Sequence, residues 1–451
     1  MKIKKLLIAN RGEIARRIIR TCRERGIPTV AVYSEADGDL PFVREADEAV
    51  EIGPPPVAKS YLNQEALLKA ARDTGANAVH PGYGLLSENA AFARQVEAEG
   101  LIFVGPPPQV IAKMGDKVTA RQTMQDAGVP VVPGTGDVHT PEEAIRKAEE
   151  IGWPVMLKAS AGGGGIGMQV LRGPEEVEKA FATAQGRAKA YFGDETLFME
   201  RFIPSPRHVE VQILADGERT LHLFERECSV QRRNQKVVEE SPSPSIRPQT
   251  REGLCLAAVR AAEAVGYTGA GTVEFLVDPD ENFYFLEMNT RIQVEHPVTE
   301  MVTGLDLVSL QLDIAQGKAL SLDQEAIRTQ GHALEFRVYA EDPDRFLPSP
   351  GTLEAFVPPS GEGIRVDAGV ESGSTVTPFY DPMIAKCIVY GRNREEALER
   401  SRVALADFDV RGIQSNLPLL REVLDRPEFI SGQYDTQLLA NIDHAIRGDK
   451  R

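Results

Sequence analysis

Short apolar runs alternate with amphipathic stretches through the N-terminal quarter of the chain, and this alternation restricts the fold more than any other feature. Lys5–Ala9 reads as a buried strand, Gly12–Arg25 as an amphipathic helix stopped by Gly26, and Thr29–Tyr33 as a second strand. Gln64–Thr74 reads as a helix, Ala78–His80 as a strand and Ala90–Glu99 as a helix. Leu101–Val104 closes the series ahead of Gly105-Pro106-Pro107-Pro108. Strand–helix–strand repeats of this length predict a doubly wound parallel sheet. The fingerprint GxGxxG does not follow the first strand, which argues against a dinucleotide site there.

The rest of the chain changes character. Pro130–Gly136 reads as a linker, and two helical patterns and the strand Val155–Ala159 lead into a glycine run. Strand patterns dominate from Val209 to Met288, interrupted by an Ala-rich helix at Arg251–Val265. A last unit, 331–446, opens with strands and ends with helices at Arg394–Phe408 and Ser415–Leu424. With 451 residues there is room for about three domains, α/β first and α+β after it.

Charge narrows the partners. A net charge of -16 argues against a general nucleic-acid or anionic-membrane surface, so an anionic substrate would need a local pocket of Lys and Arg. Cys22, Cys228, Cys255 and Cys387 form no CxxC pair, which suits a reducing compartment and neither a disulfide framework nor a zinc site. The apolar run Leu6-Leu7-Ile8-Ala9 is too short for a signal segment, no stretch is long enough to span a bilayer, and a cytoplasmic location is expected.

Gly162-Gly163-Gly164-Gly165-Ile166-Gly167 satisfies GxGxxG literally, but a dinucleotide site needs a helix next. Met168–Leu171 reads instead as a strand, followed by a turn at Arg172-Gly173-Pro174. Strand, glycine loop, strand is a flexible hairpin whose amides can close over phosphates, with Lys158 before it. A surface hairpin with no ligand would look the same.

Thr272–Val277 and Asn282–Glu287 are β-rich runs joined by Asp278-Pro279-Asp280-Glu281, a hairpin signal. Pairing Val277 with Asn282 sets Glu274 opposite Phe285, with Glu287 one diagonal step away. Glu274, Phe285, Glu287 and Asn289 then share a face, and hard oxygen ligands there suit Mg²⁺ with nucleotide phosphates. Solvated acids on an edge strand are the plain alternative.

Arg291, Gln293 and Glu295 alternate with Ile292 and Val294, so in an extended chain they project together and suit a small oxyacid. Arg291 would hold the anion and keep Glu295 ionised as its proton acceptor; an amphipathic edge strand has the same period. Upstream, Arg226, Arg232, Arg233 and Lys236 sit between acids, ordinarily a solvated salt-bridge strip. Lys236, however, precedes the buried-type pair Val237-Val238 and joins Lys117 and Lys158 as a lysine near phosphate-type motifs. Cys228 reads as a small buried residue, and His208 and His296 as core, turn or site histidines.

Together these segments resemble the biotin carboxylase family of ATP-grasp enzymes across nearly the whole chain, most closely the stand-alone subunits of acetyl-CoA carboxylase. The matching stretches are Ile8–Ala15, His80–Asn89, Met114–Lys117, Lys158–Met168, Arg207–Gln212, Glu225–Lys236, Glu287–Glu300 and Phe346–Gly351. The resemblance implies an N-terminal domain over 1–114, an ATP-grasp domain over 115–330 with a mobile lid at about 135–203, and a C-terminal domain over 331–446. It implies ATP contacts at Lys117, Lys158, Gly163, Gly164, Gly165, Gly167, Met168, Glu200, Ile203, His208, Gln231 and Leu276. Asn234 stands at a sugar contact where some members have His. Glu274 and Glu287, assisted by Asn289, would bind Mg²⁺ or Mn²⁺. Lys236, Arg291, Gln293 and Val294 would hold bicarbonate, Glu295 would be the base, and Tyr83 and Arg337 would face biotin.

Two further departures from the family pattern are Ile166, where the lid usually carries Arg or Lys, and a lid opening Ser160-Ala161 with one glycine fewer than some relatives. Ile111-Ala112-Lys113-Met114 only superficially resembles a biotin-attachment motif, so biotin is expected on a separate carboxyl carrier protein, with carboxyltransferase subunits completing the reaction. A homodimer is implied by the resemblance alone. The competing readings are another ATP-grasp ligase, which should lack Arg291, Gln293 and Glu295, a nicotinamide oxidoreductase and a non-catalytic binding module.

Overall fold

Five parallel strands open the structure, a computed structural model that describes residues 1–160, 168–192 and 194–440. β1 (Leu6–Ile8), β2 (Thr29–Ser34), β3 (Glu48–Gly53), β4 (Ala78–His80) and β5 (Ile102–Phe103) lie in the order β3-β2-β1-β4-β5. Leu6, Ile8 and Ala31 pack on one face with Ile14 and Ile18 of the helix Gly12–Glu24. Leu7, Val30 and Val32 pack on the other with Leu67, Leu68 and Phe92. Burial on both faces is why these strands read as unbroken apolar runs. β3 was not anticipated, because its EAVEIG sequence lies largely exposed along the sheet edge. Asn63 and Asn89 cap their helices by accepting from the amides of Ala66 and Phe92.

β6 (Val155–Ala159), β7 (Gln169–Leu171) and β8 (Leu197–Arg201) form a small antiparallel sheet in the order β7-β6-β8. The glycine run is therefore followed by a strand, as its sequence suggested. Gly163, Gly164, Gly165, Ile166 and Gly167 themselves lie outside the described residues. The helices Pro141–Ile151 and Val177–Phe192 close a core around Val155, Leu157, Leu171, Leu197 and Met199. The 130–136 segment is pinned by bridges, Val131 to Phe285 and Gly134 to Glu200.

β9 (Arg207–Asp216), β10 (Thr220–Arg232), β11 (Gln235–Ser241), β12 (Thr268–Val277), β13 (Phe283–Asn289) and β14 (His332–Tyr339) belong to the large antiparallel sheet. After two short strands, β15 (Gly351–Thr352) and β16 (Ala355–Val357), it gains β17 (Ile364–Ala368). β18 (Thr375–Val376) pairs with β15, β19 (Met383–Gly391) joins the large sheet, and β20 (Asp409–Arg411) pairs with β16. The order is β13-β12-β9-β10-β11-β14-β19-β17. One sheet thus runs from the carboxylate hairpin to the C-terminal strands, through β11 paired with β14. All four cysteines are free and buried. Among the described residues no helix is long and apolar enough to cross a membrane.

Candidate active site

The carboxylate hairpin forms, but in another register. Val277 pairs with Phe283 rather than Asn282, because Glu281 takes a left-handed conformation (φ 65°) and adds a residue to the turn. That register sets Phe285 opposite Phe275, and a bulge just beyond it places Glu274 directly opposite Glu287. The expectation that Phe285 shares the acidic face is therefore wrong: Phe285 packs in the core with Phe275 and Met288. The correction brings the two acids closer than the sequence had suggested.

Glu274 is buried, and one of its oxygens collects three hydrogen bonds. Its Oε1 accepts from Lys236 Nζ at 2.8 Å, Asn289 Nδ2 at 2.8 Å and Gln293 Nε2 at 2.7 Å. His208 Nε2 lies 2.9 Å from its Oε2, at an ion-pair distance but outside hydrogen-bond geometry. Burial would raise this carboxyl, but Lys236 and His208 outweigh it and hold Glu274 well below the usual range. Glu287 goes the other way. Its tip reaches solvent, yet the protein crowded around it and the facing Glu274 charge push its carboxyl up, with Lys117 opposing. A like-charge pair pulled apart in this manner is what an added divalent cation would relieve, so Glu274, Glu287 and Asn289 fit the ion their oxygens suggested. Two other groupings of ligand-type atoms lie among the described residues, His208 with Glu210 and Glu274, and Glu210 with Cys228 and Glu295.

Lys236 is the hub. Its ammonium donates to Glu210 Oε2 at 2.6 Å, Glu274 Oε1 at 2.8 Å and Glu295 Oε1 at 2.7 Å. Burial disfavours its charge, but Glu210, Glu274 and Glu295 more than compensate and raise it well above an ordinary lysine. The solvated-strip reading of this region fails for Lys236 and for Arg226, which is wholly buried. Arg226 spends its donors on Glu210, Gln212, Thr299, Thr272 and Gln293. Arg232 pairs with Glu341 and stacks over Phe346, while Arg233 and Asn234 form the exposed left-handed turn between β10 and β11.

The segment after β13 bends instead of running extended, and Glu295 (φ -82°, ψ 7°) begins the helix His296–Thr303. Gln293 and Glu295 still reach the cluster. Arg337 on β14 donates through Nη2 to Glu295 Oε2 at 3.0 Å and through Nε to Glu239 Oε1 at 2.6 Å. Burial would raise Glu295, but Lys236, Arg337 and Arg226 hold it far below the ordinary carboxylate range. Arg291 makes no direct contact with Glu295, although the two charges attract through space, so the cations that bond Glu295 are Lys236 and Arg337. Arg291 donates to Glu88 Oε2 and Asn289 Oδ1, each at 2.9 Å.

The remaining expected residues line the neighbouring elements. Lys117 starts the helix capped by Asp116. Lys158 on β6 pairs with Glu200 on β8, Ile203 is buried, and Met168 is 40% exposed. Gln231 Nε2 lies 2.7 Å from His208 Nδ1, and Leu276 pairs with His208 across the ladder. Tyr83 donates its hydroxyl to Glu13. Sequence reasoning missed Glu210, Arg226, Glu239 and Glu88. The available signal was charge inside apolar strand patterns, as in Val209-Glu210-Val211, which marks paired buried charge.

A parallel α/β unit, a lysine-bearing sheet beside the glycine run and a facing pair of acids beside a buried Arg–Lys–Glu cluster define an ATP-grasp type of ligase. Three family models match in order. They are the biotin carboxylase N-terminal domain over residues 2–111, the carbamoyl-phosphate synthase L chain ATP-binding domain over 116–323, and the biotin carboxylase C-terminal domain over 335–441. A biotin carboxylase of Halalkalibacterium halodurans is 55% identical over 440 residues, covering 97% of each chain. The solved biotin carboxylase of Campylobacter jejuni in complex with β,γ-ATP superposes with TM-score 0.94 at 44% identity, covering 98% of this chain and 99% of that one. The biotin carboxylase domain of Hydrogenobacter thermophilus 2-oxoglutarate carboxylase is a dimer solved with MgADP, ADP and bicarbonate. It gives TM-score 0.93 at 47% identity, covering 98% of both chains. The chain belongs to the biotin carboxylase family of ATP-dependent ligases.

Proposed function

We propose that this enzyme carboxylates biotin carried on a separate carrier protein, taking the carboxyl group from bicarbonate and cleaving ATP to ADP and phosphate. The observation that carries this reading is the Lys236 ammonium, which bonds Glu274 of the acidic hairpin and Glu295 of the oxyacid segment at once. In this reading the domains span 1–114, 115–330 and 331–446. Lys117, Lys158, Gly163, Gly164, Gly165, Gly167, Met168, Glu200, Ile203, His208, Gln231, Asn234 and Leu276 bind ATP. Lys236, Arg291, Gln293 and Val294 hold bicarbonate. Tyr83 and Arg337 face biotin.

Chemistry follows from the charges. Both Glu295 oxygens are held, one by Lys236 and the other by Arg337. An entering bicarbonate shares those cations, which raises the proton affinity of Glu295 and lets it take the bicarbonate proton. The freed oxygen attacks the γ-phosphorus, the bond to the bridging oxygen breaks, and ADP leaves carboxyphosphate behind. Held by Glu274, Glu287 and Asn289, Mg²⁺ or Mn²⁺ would supply charge neutralisation to the phosphoryl oxygens. Carboxyphosphate divides into CO₂ and phosphate, and the phosphate takes the ureido proton of biotin. Arg337 stabilises the resulting oxyanion while the ureido nitrogen bonds to CO₂. A closed glycine loop would keep water from the mixed anhydride.

The testing experiment is ADP release that requires Mg²⁺ and bicarbonate and rises with free biotin. ADP release indifferent to bicarbonate would favour another ATP-grasp ligase. The final acceptor is proposed as acetyl-CoA, placing the enzyme at the first half-reaction of fatty-acid synthesis in the cytoplasm as a homodimer. Pyruvate, propionyl-CoA and 2-oxoglutarate are the alternatives, and co-purification of the biotinylated carrier and carboxyltransferase distinguishes them.

A further inference from the structure

Lys386 on β19 is fully buried, and its ammonium joins three parts of the chain. It stands directly across the ladder from Arg337 on β14 and from Asp367 on β17. Its Nζ donates to the Val294 carbonyl at 2.7 Å and lies 3.3 Å from Glu13 Oε1. Glu13 sits in the first turn of the helix Gly12–Glu24 and accepts the Tyr83 hydroxyl as well. One ammonium therefore grips the carbonyl of the peptide that enters Glu295 and, through a shared carboxylate, is linked to the Tyr83 hydroxyl.

A lysine is a costly way to fill a core position, since a well-packed apolar residue would hold β19 at least as stably. The choice of acceptor is informative. Glu335, two residues before Arg337 on the neighbouring strand, is fully buried with neither carboxylate oxygen bonded, yet the ammonium is directed at a backbone carbonyl. That carbonyl belongs to an irregular turn, Gln293 to His296. The turn's other backbone carbonyls are met by the His296 ring and amide at Gln293 and by the Val298 amide at Glu295. The Gln293 and Glu295 side chains are held by Arg226, Glu274, Lys236 and Arg337. A bend that leaves one strand and starts a helix has no ladder to hold its peptide planes, so a fixed donor at the Val294 carbonyl sets the peptide from which Glu295 reaches Lys236 and Arg337.

We propose that Lys386 is a positioning residue for the carboxylation chemistry: it orients the Val294–Glu295 peptide toward bicarbonate and, through Glu13, sets the Tyr83 hydroxyl. This rests on the function proposed above, whose own failure is read from the unmodified enzyme. If that enzyme releases no bicarbonate-dependent ADP, the functional reading falls irrespective of Lys386.

With an active wild type, Lys386→Met should raise KM for bicarbonate and lower the bicarbonate-dependent kcat, each by about tenfold or more, as expected for a displaced base. KM for ATP should stay within about twofold, because the ATP elements do not touch this ammonium. Lys386→Arg, which keeps the charge and the donor, should recover much of the loss. Bicarbonate kinetics within about twofold of wild type in Lys386→Met would overturn the proposal. So would ATP and bicarbonate constants that worsen equally, the mark of a merely structural role. Should Lys386→Met leave Glu13 unpaired and fail to fold, the double variant Lys386→Met/Glu13→Leu removes both charges together. It must retain the bicarbonate defect, and wild-type bicarbonate kinetics in it would also overturn the proposal.

Discussion

Lys236 donates to Glu295 Oε1 at 2.7 Å across 59 residues of sequence, while Arg337 holds the other oxygen at 3.0 Å. These two cations hold the carboxylate assigned as base ionised, and an anion that shares them makes it a better proton acceptor. Glu295→Gln keeps the shape and removes this response. Bicarbonate-dependent ADP release should fall by about a hundredfold or more, with ADP affinity, followed by calorimetry, changed little. Normal turnover would refute the assignment.

Arg337 touches both Glu295 and Glu239 and is assigned to the biotin oxyanion. Arg337→Ala should damage carboxybiotin formation more than bicarbonate-dependent ATP cleavage. Measuring both products in one reaction checks this, and equal loss of the two contradicts the division of roles.

Glu287 faces Glu274, and its carboxyl is raised by the surrounding protein and by that neighbour's charge. Glu287→Gln should therefore increase the Mg²⁺ or Mn²⁺ concentration giving half-maximal activity by about tenfold. Its melting temperature in chelator should be unchanged or slightly higher, because a like-charge repulsion has been removed. An unaltered metal requirement would exclude Glu287 as a ligand.

Glu227 lies buried on β10, accepting from Ser229 and Ser243, and burial pushes its carboxyl up to about 7 against an ordinary 4.5. The native state then binds a proton that the unfolded chain has released, so stability contributed by this group is complete below pH 4.5 and is lost as pH rises toward 7. Glu227→Gln should remove that part of the slope and make the protein more stable at pH 8, by about 1–3 kcal/mol in urea unfolding. An unchanged slope between pH 5 and 8 in urea titrations would show that Glu227 is ionised in the folded protein.

Much of the site's content was legible in residue types. Glu274, Glu287 and Asn289 were identified on one hairpin, yet their register was not, because Glu281 and the bulge each add a residue that alternation alone cannot count. Arg226 and Lys236 illustrate the same limit from the other side. A run of mixed charge reads as solvated, and nothing local reveals that Glu210, Gln212, Thr272 and Gln293 converge on it from other segments.

What the sequence determined by itself is local: the apolar period of the N-terminal strands, the strands on either side of the glycine run and the acidic hairpin. Periodicity and turn chemistry act over a few residues and need no knowledge of the fold. Only the tertiary structure decided which cations hold Glu295 and which carbonyl Lys386 grips. Strand order in the large sheet brings residues 42, 59 and 92 positions apart into contact, and burial there makes each surviving charge depend on its partner.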